Sequence, residues 1–463
     1  MKEREIETDH LSNLSMLSYG MGDFLFQIFN GIFGAFYFLF WETEVGLNVW
    51  LVFIAYVVYA IWNSINDPLV GYFADKPNKF WKKYGKRYPL VLIAGIPAIL
   101  TLAAIFSPPN LDPVSGAWIY LSWILITTCS YEFFFTILSL NHGALFPDKF
   151  RKDQERRKVG FIRMGLALIG TAIGFIVPPF FIEYGNRQSY GSMAWIFVIV
   201  NIFFFLTMIP GHKESRKLRE RYTLEDQSKQ KVSFLKTLKI LVSHKNFMVV
   251  MIVFLMDSII GAALTASIQY IAKYILLSET NSILILAGFI LGALGSLAPW
   301  LILSQKMKNN RKMLIIGVFF NTIFLLPFMF VNGLIAFTIA ALLLGIGGGA
   351  LRIGTNPVIG DTVDELTLKT GQHIEGSFMG VYTFFLRFAL IVQGFMFAIV
   401  HELTGFDQFS LTQTELAQFG IRLHTALIPM ILTLIGLVIF VLFYDLKPEK
   451  TKEIKEKLKE LNL

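Results

Sequence analysis

Stretches of about twenty apolar residues, the length of helix that crosses a bilayer core, recur along this chain and limit what it can fold into. Twelve are present, at 16–41, 49–74, 88–107, 118–146, 159–182, 191–210, 247–270, 282–303, 313–330, 334–360, 376–401 and 424–445. Hydrocarbon offers backbone groups no partner, so each stretch is expected to be a helix and the fold class all-α. Only 16% of residues are charged and 54% are hydrophobic, against about a quarter charged in soluble domains, which excludes an ordinary water-soluble protein. The first stretch follows the mixed-charge start MKEREIETDH without a small-residue cleavage site, so a span is expected there and not a cleaved signal. Cys129 is the single cysteine, which excludes an intrachain disulfide and a structural zinc cluster.

Basic residues set the orientation. With the N-terminus and the even-numbered connections on one side, that side holds 35 of the 41 Lys and Arg, the other side 3 (Arg187, Lys273, Arg422) and the spans 3. Both termini are therefore expected in the cytoplasm, with the protein in the cell membrane. Glu42 and Glu44 fall in an outer loop on this reading. The basic excess reads as topology and contact with anionic lipid; no nucleic-acid module accompanies it.

The charged stretch 211–245 divides the spans six and six. The expected domains are 1–210, a linker at 211–245, a second bundle at 246–445 and a tail at 446–463. Phe234, Leu235, Leu238 and Leu241 share one helical face, which suits a short helix in the membrane interface. The tail, with charges of alternating sign, is expected to extend the last helix into water. Two six-helix halves joined by a charged loop is the plan of many secondary carriers.

Seven charges lie inside the spans: Asp23, Asp67, Glu132, Asp257, Arg163, Arg352 and Arg387. Each is costly in hydrocarbon, so each must face a wet cavity, pair, or reach an interface. Span 2 carries Asn63, Asn66 and Asp67, and Asn63 shares a helical face with Asp67 four residues on. A carboxylate beside amide oxygens suits a small alkali cation, and the carboxylate alone can take and release a proton. The same residues also fit a kinked helix whose Asp67 caps backbone or binds the basic loop. Gly71 and Asp75 with Lys79, Lys82, Lys83, Lys86 and Arg87 suit a gate or, more blandly, topology signals alone. Asp23 and Gln27 share a face of span 1. Span 4 offers Glu132, a possible partner for Arg163, then Ser139, Asn141 and His142; His142 reads as a packing residue or a proton relay. The glycine run 345–349 followed by Pro357 is expected to weaken the helix of span 10. No phosphate-binding loop, metal spacing or nucleophile–base pair is present, so neither an ATP-driven pump nor an enzyme is expected, and no cofactor beyond a coupling ion, H+ or Na+.

The runs Tyr19–Asp23, Asn66–Asp75, Tyr84–Pro89, Ala144–Asp148 and Asp361–Leu366, continuing through Lys369–Gly371 and Glu375–Gly376, occur in an order that resembles the glycoside–pentoside–hexuronide:cation symporters. These are the melibiose-permease-like members of the major facilitator fold. The resemblance implies two six-helix bundles, alternating access, and sugar uptake coupled to sodium, lithium or a proton. It matches Asp67 to one of two cation-linked helix-2 aspartates, the other being Asn63 here. It also matches Arg163 to an arginine at the start of helix 5 and Arg387 to a helix-11 lysine. Solute-binding positions are exchanged: Gln27 and Ser139 stand for aspartates, Gly143 and Arg352 for tryptophans. That exchange points away from melibiose.

The expectation is a monomeric symporter for a sugar, glycoside or uronide, in which Asp67, Asn63 and Asn66 serve the coupling ion. Asp23, Gln27, Glu132, Ser139, His142, Arg163, Arg352 and Arg387 would meet solute. Gly71, Asp75, Lys86, Arg87, Asp361, Asp364, Glu365 and Glu375 would gate. If the three arginines converge on one cavity, an anionic solute supplies their countercharge; the alternative is that Asp23, Glu132 and Asp257 already do so. Two further readings stay open: a lysolipid carrier of the same fold, and a membrane sensor that binds without flux.

Overall fold

Each apolar stretch forms a helix in the computed structural model, which describes residues 12–76, 81–225, 234–371 and 375–461. Among the described residues, twelve helices are long and apolar enough to cross a membrane. They are α1 Asn13–Glu44, α2 Val49–Asp75, α3 Tyr88–Ile105, α4 Ala117–Lys149, α5 Asp153–Phe180, α6 Arg187–His212, α7 Lys245–Ile275, α8 Asn281–Met307, α9 Asn310–Met329, α10 Leu334–Thr370, α11 Phe378–Thr404 and α12 Glu415–Phe443. The described residues contain no strand. This is a multi-pass all-α membrane protein.

The described residues fall into two compact units. One comprises residues up to Phe40 together with Ile61–Gln230, and the other Trp41–Ala60 together with Lys231–Leu463. The tip of α1 and the first half of α2 thus group with the second unit.

Several expectations need correction. α10 runs unbroken from Leu334 to Thr370 through the glycine run and Pro357. The glycines serve close packing: a Cβ on Gly345 would lie 2.1 Å from the Phe289 carbonyl oxygen, and one on Gly347 2.6 Å from Asn321 backbone. The eleventh span breaks instead, between helical segments Glu375–Leu386 and Phe388–Thr404, with Arg387 at the junction. The tail does not prolong α12. It forms a separate helix, Pro448–Glu460, with Pro448 at its first position and Ile454 and Leu458 buried. The helix Phe234–Val242 places Leu241 and Leu238 on the second unit's core, so protein covers part of the face expected to meet lipid.

Glu42, Glu44 and Lys273 are not loop residues. Helical structure continues through them as π turns, Phe40–Glu44 and Ile271–Ile275, and a third π turn, Leu423–Leu427, carries His424. Glu42, Lys273 and His424 are buried. π turns are rare and concentrate where function asks a helix to re-aim side chains.

Candidate functional site

In the first unit, α1, α4, α5 and α6 bring together residues far apart in sequence. Arg163 on α5 donates to both oxygens of Asp23 on α1, Nε to Oδ2 at 2.6 Å and Nη2 to Oδ1 at 2.9 Å. Their side chains are 24% and 18% exposed, so the pair has a wet side. Asp23 is thus the countercharge of Arg163. Behind it lies His142 of α4, with Nε2 3.0 Å from Asp23 Oδ2. His142 Nδ1 lies 2.7 Å from Nε2 of His212, whose own Nδ1 lies 2.8 Å from the Met208 carbonyl oxygen. Both imidazoles are buried. The ring of His142 stacks on Tyr19 at 4.3 Å, and Tyr19 donates its hydroxyl to the His142 carbonyl. Gly22 makes this possible, because a Cβ there would lie 2.6 Å from the His142 ring. Gln27 lies one turn beyond Asp23 and accepts from Thr171 at 3.4 Å.

A second polar seam joins α2 to α4. The Thr136 hydroxyl lies 3.1 Å from Asp67 Oδ1 and 3.2 Å from Glu132 Oε1. One hydroxyl hydrogen thus faces two carboxylates. Two carboxylates that meet at one hydroxyl in a part-buried place offer oxygen ligands to a cation. Asn66 donates to the Glu132 carbonyl at 3.2 Å, and Trp62 donates to the Cys129 carbonyl at 3.0 Å. Asn63, one turn before Asp67, is fully buried, and among the described residues neither its amide nitrogen nor its amide oxygen has a partner. A buried polar atom left unmade costs about 1–3 kcal/mol, so an orphan amide one turn from Asp67 on α2 asks for a ligand. Ser139, on α4, sits 3.5 Å from the Thr136 carbonyl.

At the basic end of this unit, Asp75 binds Lys86 at 2.9 Å and Arg87 at 2.6 Å, and Arg87 also reaches Asn141 at 3.3 Å. Glu214 accepts from the backbone N–H groups of Lys86, Arg87 and Tyr88 at 2.8, 2.6 and 3.0 Å, satisfying donors that the start of α3 would leave open. A Cβ on Gly71 would meet nothing within 4 Å. Lys79 lies outside the described residues.

The second unit carries Asp257 on α7, which accepts from Asn321 at 2.7 Å and lies within electrostatic range of Arg352 on α10. Arg352 and Asn356, four apart on α10, are exposed. Arg387 sits at the break of the eleventh span and is half-buried. At the π turns, His401 Nδ1 lies 2.7 Å from Glu42 Oε1, His401 Nε2 3.2 Å from His424 Nε2, and His424 Nδ1 2.8 Å from Ser267 Oγ. Tyr270 donates to the other Glu42 oxygen, and Lys273 holds Glu44 at 2.7 Å.

The Asp361–Glu365 run lies at the end of α10. Asp361 accepts from Asn310 at 2.7 Å and from Lys455 of the tail helix at 3.0 Å. Glu365 accepts from Asn246 at 2.7 Å and pairs with Lys369 at 3.2 Å and Lys450 at 3.5 Å. Asp364 is half-buried on the same helix. Glu375 opens the next helix, and its side chain lies outside the described residues. Lys450 also reaches Asp445 at 3.0 Å. Burial alone would raise the Asp445 carboxyl, but Asn246 and Lys450 hold it below its ordinary value; Asp445 and Glu365 in turn raise the Lys450 ammonium against its own burial.

Known proteins agree with this architecture. The crystal structure of a D-xylose-proton symporter superposes with a TM-score of 0.65 at 13% identity, covering 94% of this chain and 98% of that one. The "Uncharacterized symporter YnaJ" of Bacillus subtilis is 24% identical over 97% of this chain and 95% of its own. The sodium-dependent lysophosphatidylcholine symporter 1 of Gallus gallus is 22% identical, with 99% and 91% covered. A putative sulfoquinovose importer of Escherichia coli is 23% identical, with 96% and 92% covered. A family model described as "MFS/sugar transport protein" matches residues 18–447. With its twelve spanning helices and that match, the chain belongs to the MFS/sugar transport protein family.

Proposed function

We propose that this protein is a secondary active symporter of the cell membrane, with both termini in the cytoplasm, that couples proton or sodium entry to uptake of a sugar-class solute. The convergence of Asp67 and Glu132 on the Thr136 hydroxyl, with the orphan amide of Asn63 one turn before Asp67 on α2, carries this reading. An alkali cation there would take oxygen ligands from Asp67, Thr136 and Asn63; a proton would sit on one of the two carboxylates. Either lowers the charge of the pair from −2 to −1 and stabilises the α2–α4 seam, which links ion binding to conformation. No covalent step is needed.

The solute we propose is an acidic sugar, such as a uronide or a sulfonated sugar. The exposed guanidinium of Arg352 suits bidentate recognition of an acid group. A relative named for sulfoquinovose, whose sugar bears a sulfonate, supports the same class. The second reading, a lysolipid carrier, is favoured by the lysophosphatidylcholine symporter that matches nearly the whole chain.

Proteoliposomes given a pH gradient and a sodium gradient separately, against a panel of neutral, uronic and sulfonated sugars and a lysophospholipid, test both. Accumulation of an acidic sugar under one gradient is expected. Preference for neutral sugars removes the acid-group reading, accumulation of lysolipid alone transfers the function to the second reading, and indifference of every solute to both gradients ends the symporter proposal.

A further inference from the structure

The polar chain behind Arg163 has a hydrogen count that does not close. It has three contacts: Met208 carbonyl to His212 Nδ1, His212 Nε2 to His142 Nδ1, and His142 Nε2 to Asp23 Oδ2, at 2.8, 2.7 and 3.0 Å. Each contact needs one hydrogen between its atoms. A carbonyl and an ionised carboxylate only accept, and a neutral imidazole carries one N–H. Two neutral histidines therefore supply two hydrogens for three contacts. The third must be an added proton, on His142, on His212 or on Asp23. Arg163 donates to both Asp23 oxygens, which favours the ionised carboxylate and puts the proton on an imidazole.

The surroundings prevent escape by rearrangement. Tyr19 stacks on the His142 ring, Phe26 meets it edge-on at 5.1 Å, and Gly22 packs directly against it. The titratable and charged groups facing the chain are Tyr19, Asp23, Arg163 and Lys149, and Lys149 is spent on the carbonyls of Gly211 and Lys213. Without the added proton, one of the three contacts would bring two lone pairs face to face in a buried place.

We propose that the Asp23–His142–His212 chain is a proton-binding site, separate from Asp67, that holds one exchangeable proton and releases it when α1 and α4 part. Loaded, the Asp23, His142, His212 and Arg163 group carries a net charge of +1; unloaded, it is neutral and the α1–α4 contact turns repulsive. The hydrogen count stands whether or not the solute is an acidic sugar.

The test uses the full-length protein labelled with 15N-histidine, with imidazole resonances followed from about pH 5 to 9 and the protonated-carboxyl band followed by infrared spectroscopy. One added proton is expected at neutral pH in the Asp23–His142–His212 chain, as an imidazolium of His142 or His212 or a protonated Asp23 carboxyl, and it is read as the part of the signal that Asp67→Asn and Glu132→Gln leave in place. It is lost in His142→Gln. It is also lost in Asp23→Asn, because the amide brings its own hydrogen to His142, so this second variant decides if the first fails to fold. His424→Gln leaves the signal in place. Seven neutral imidazoles with no protonated carboxyl, or a signal that survives both His142→Gln and Asp23→Asn, overturns the proposal.

Discussion

Two buried chains, one in each unit, are built from nearly the same parts and hold different numbers of protons. In the first unit Asp23, His142 and His212 end on the Met208 carbonyl. In the second, Glu42, His401 and His424 end on the Ser267 hydroxyl. A hydroxyl can donate where a carbonyl cannot. The hydrogen count of the second chain therefore closes without an added proton, whereas the first needs one from outside. A single terminal oxygen separates a structural clasp from a titratable site.

The comparison can be broken at several points. The largest effect is expected from Glu42→Ala, which strips the acceptor from both His401 and Tyr270 in a buried place. Two hydrogen bonds to a charged group are worth about 3–5 kcal/mol, read as a fall in unfolding free energy. Gly22→Ala pushes a Cβ into the His142 ring and should cost about 1–3 kcal/mol, with loss of the added-proton signal. Ser267→Ala leaves one buried acceptor on His424 unmade, at about 1–2 kcal/mol, and should leave histidine protonation unchanged. Appearance of a new imidazolium in that variant would break the contrast.

The smallest effect concerns the tail helix. Asp445 is held below its ordinary value, so its contribution is complete above about pH 4 and fades as pH falls through the lowered value. Lys450 is raised, so its contribution is complete below about pH 10 and fades as pH rises through the raised value. Protease protection of the helix Pro448–Glu460 should stay flat between those limits and fall outside them. Lys450→Ala should flatten the alkaline edge and weaken the acid edge, which Asn246 is left to hold.

The twelve spans were legible because apolar length is a property of consecutive residues. So was the Asp75 clasp, whose partners Lys86 and Arg87 follow within twelve residues. Pro448 and the i, i+4 pair Ile454 and Leu458 could have signalled that the tail turns back and docks. Glycines in α10 were read for their backbone freedom, but what they permit there is the close approach of neighbouring helices. The proton chain was hidden for a different reason. His142 and Asp23 lie 119 residues apart, and His212 lies a further 70 beyond His142, so nothing local joins them. Sequence reasoning singled out Asp23 and His142 without linking them and passed over His212. Glu42 was assigned to a loop because a π turn that prolongs α1 by one polar turn leaves no apolar trace.

Ion-driven transport through the α2–α4 seam is tested most directly by Asp67→Asn in sealed proteoliposomes, with wild type beside it and the solute identified by the panel. Wild type should concentrate solute under the driving ion gradient, while the variant, correctly inserted and still able to exchange solute, should stop at equal concentrations inside and out. Undiminished concentration by Asp67→Asn would contradict the role of Asp67 and with it this account of coupling.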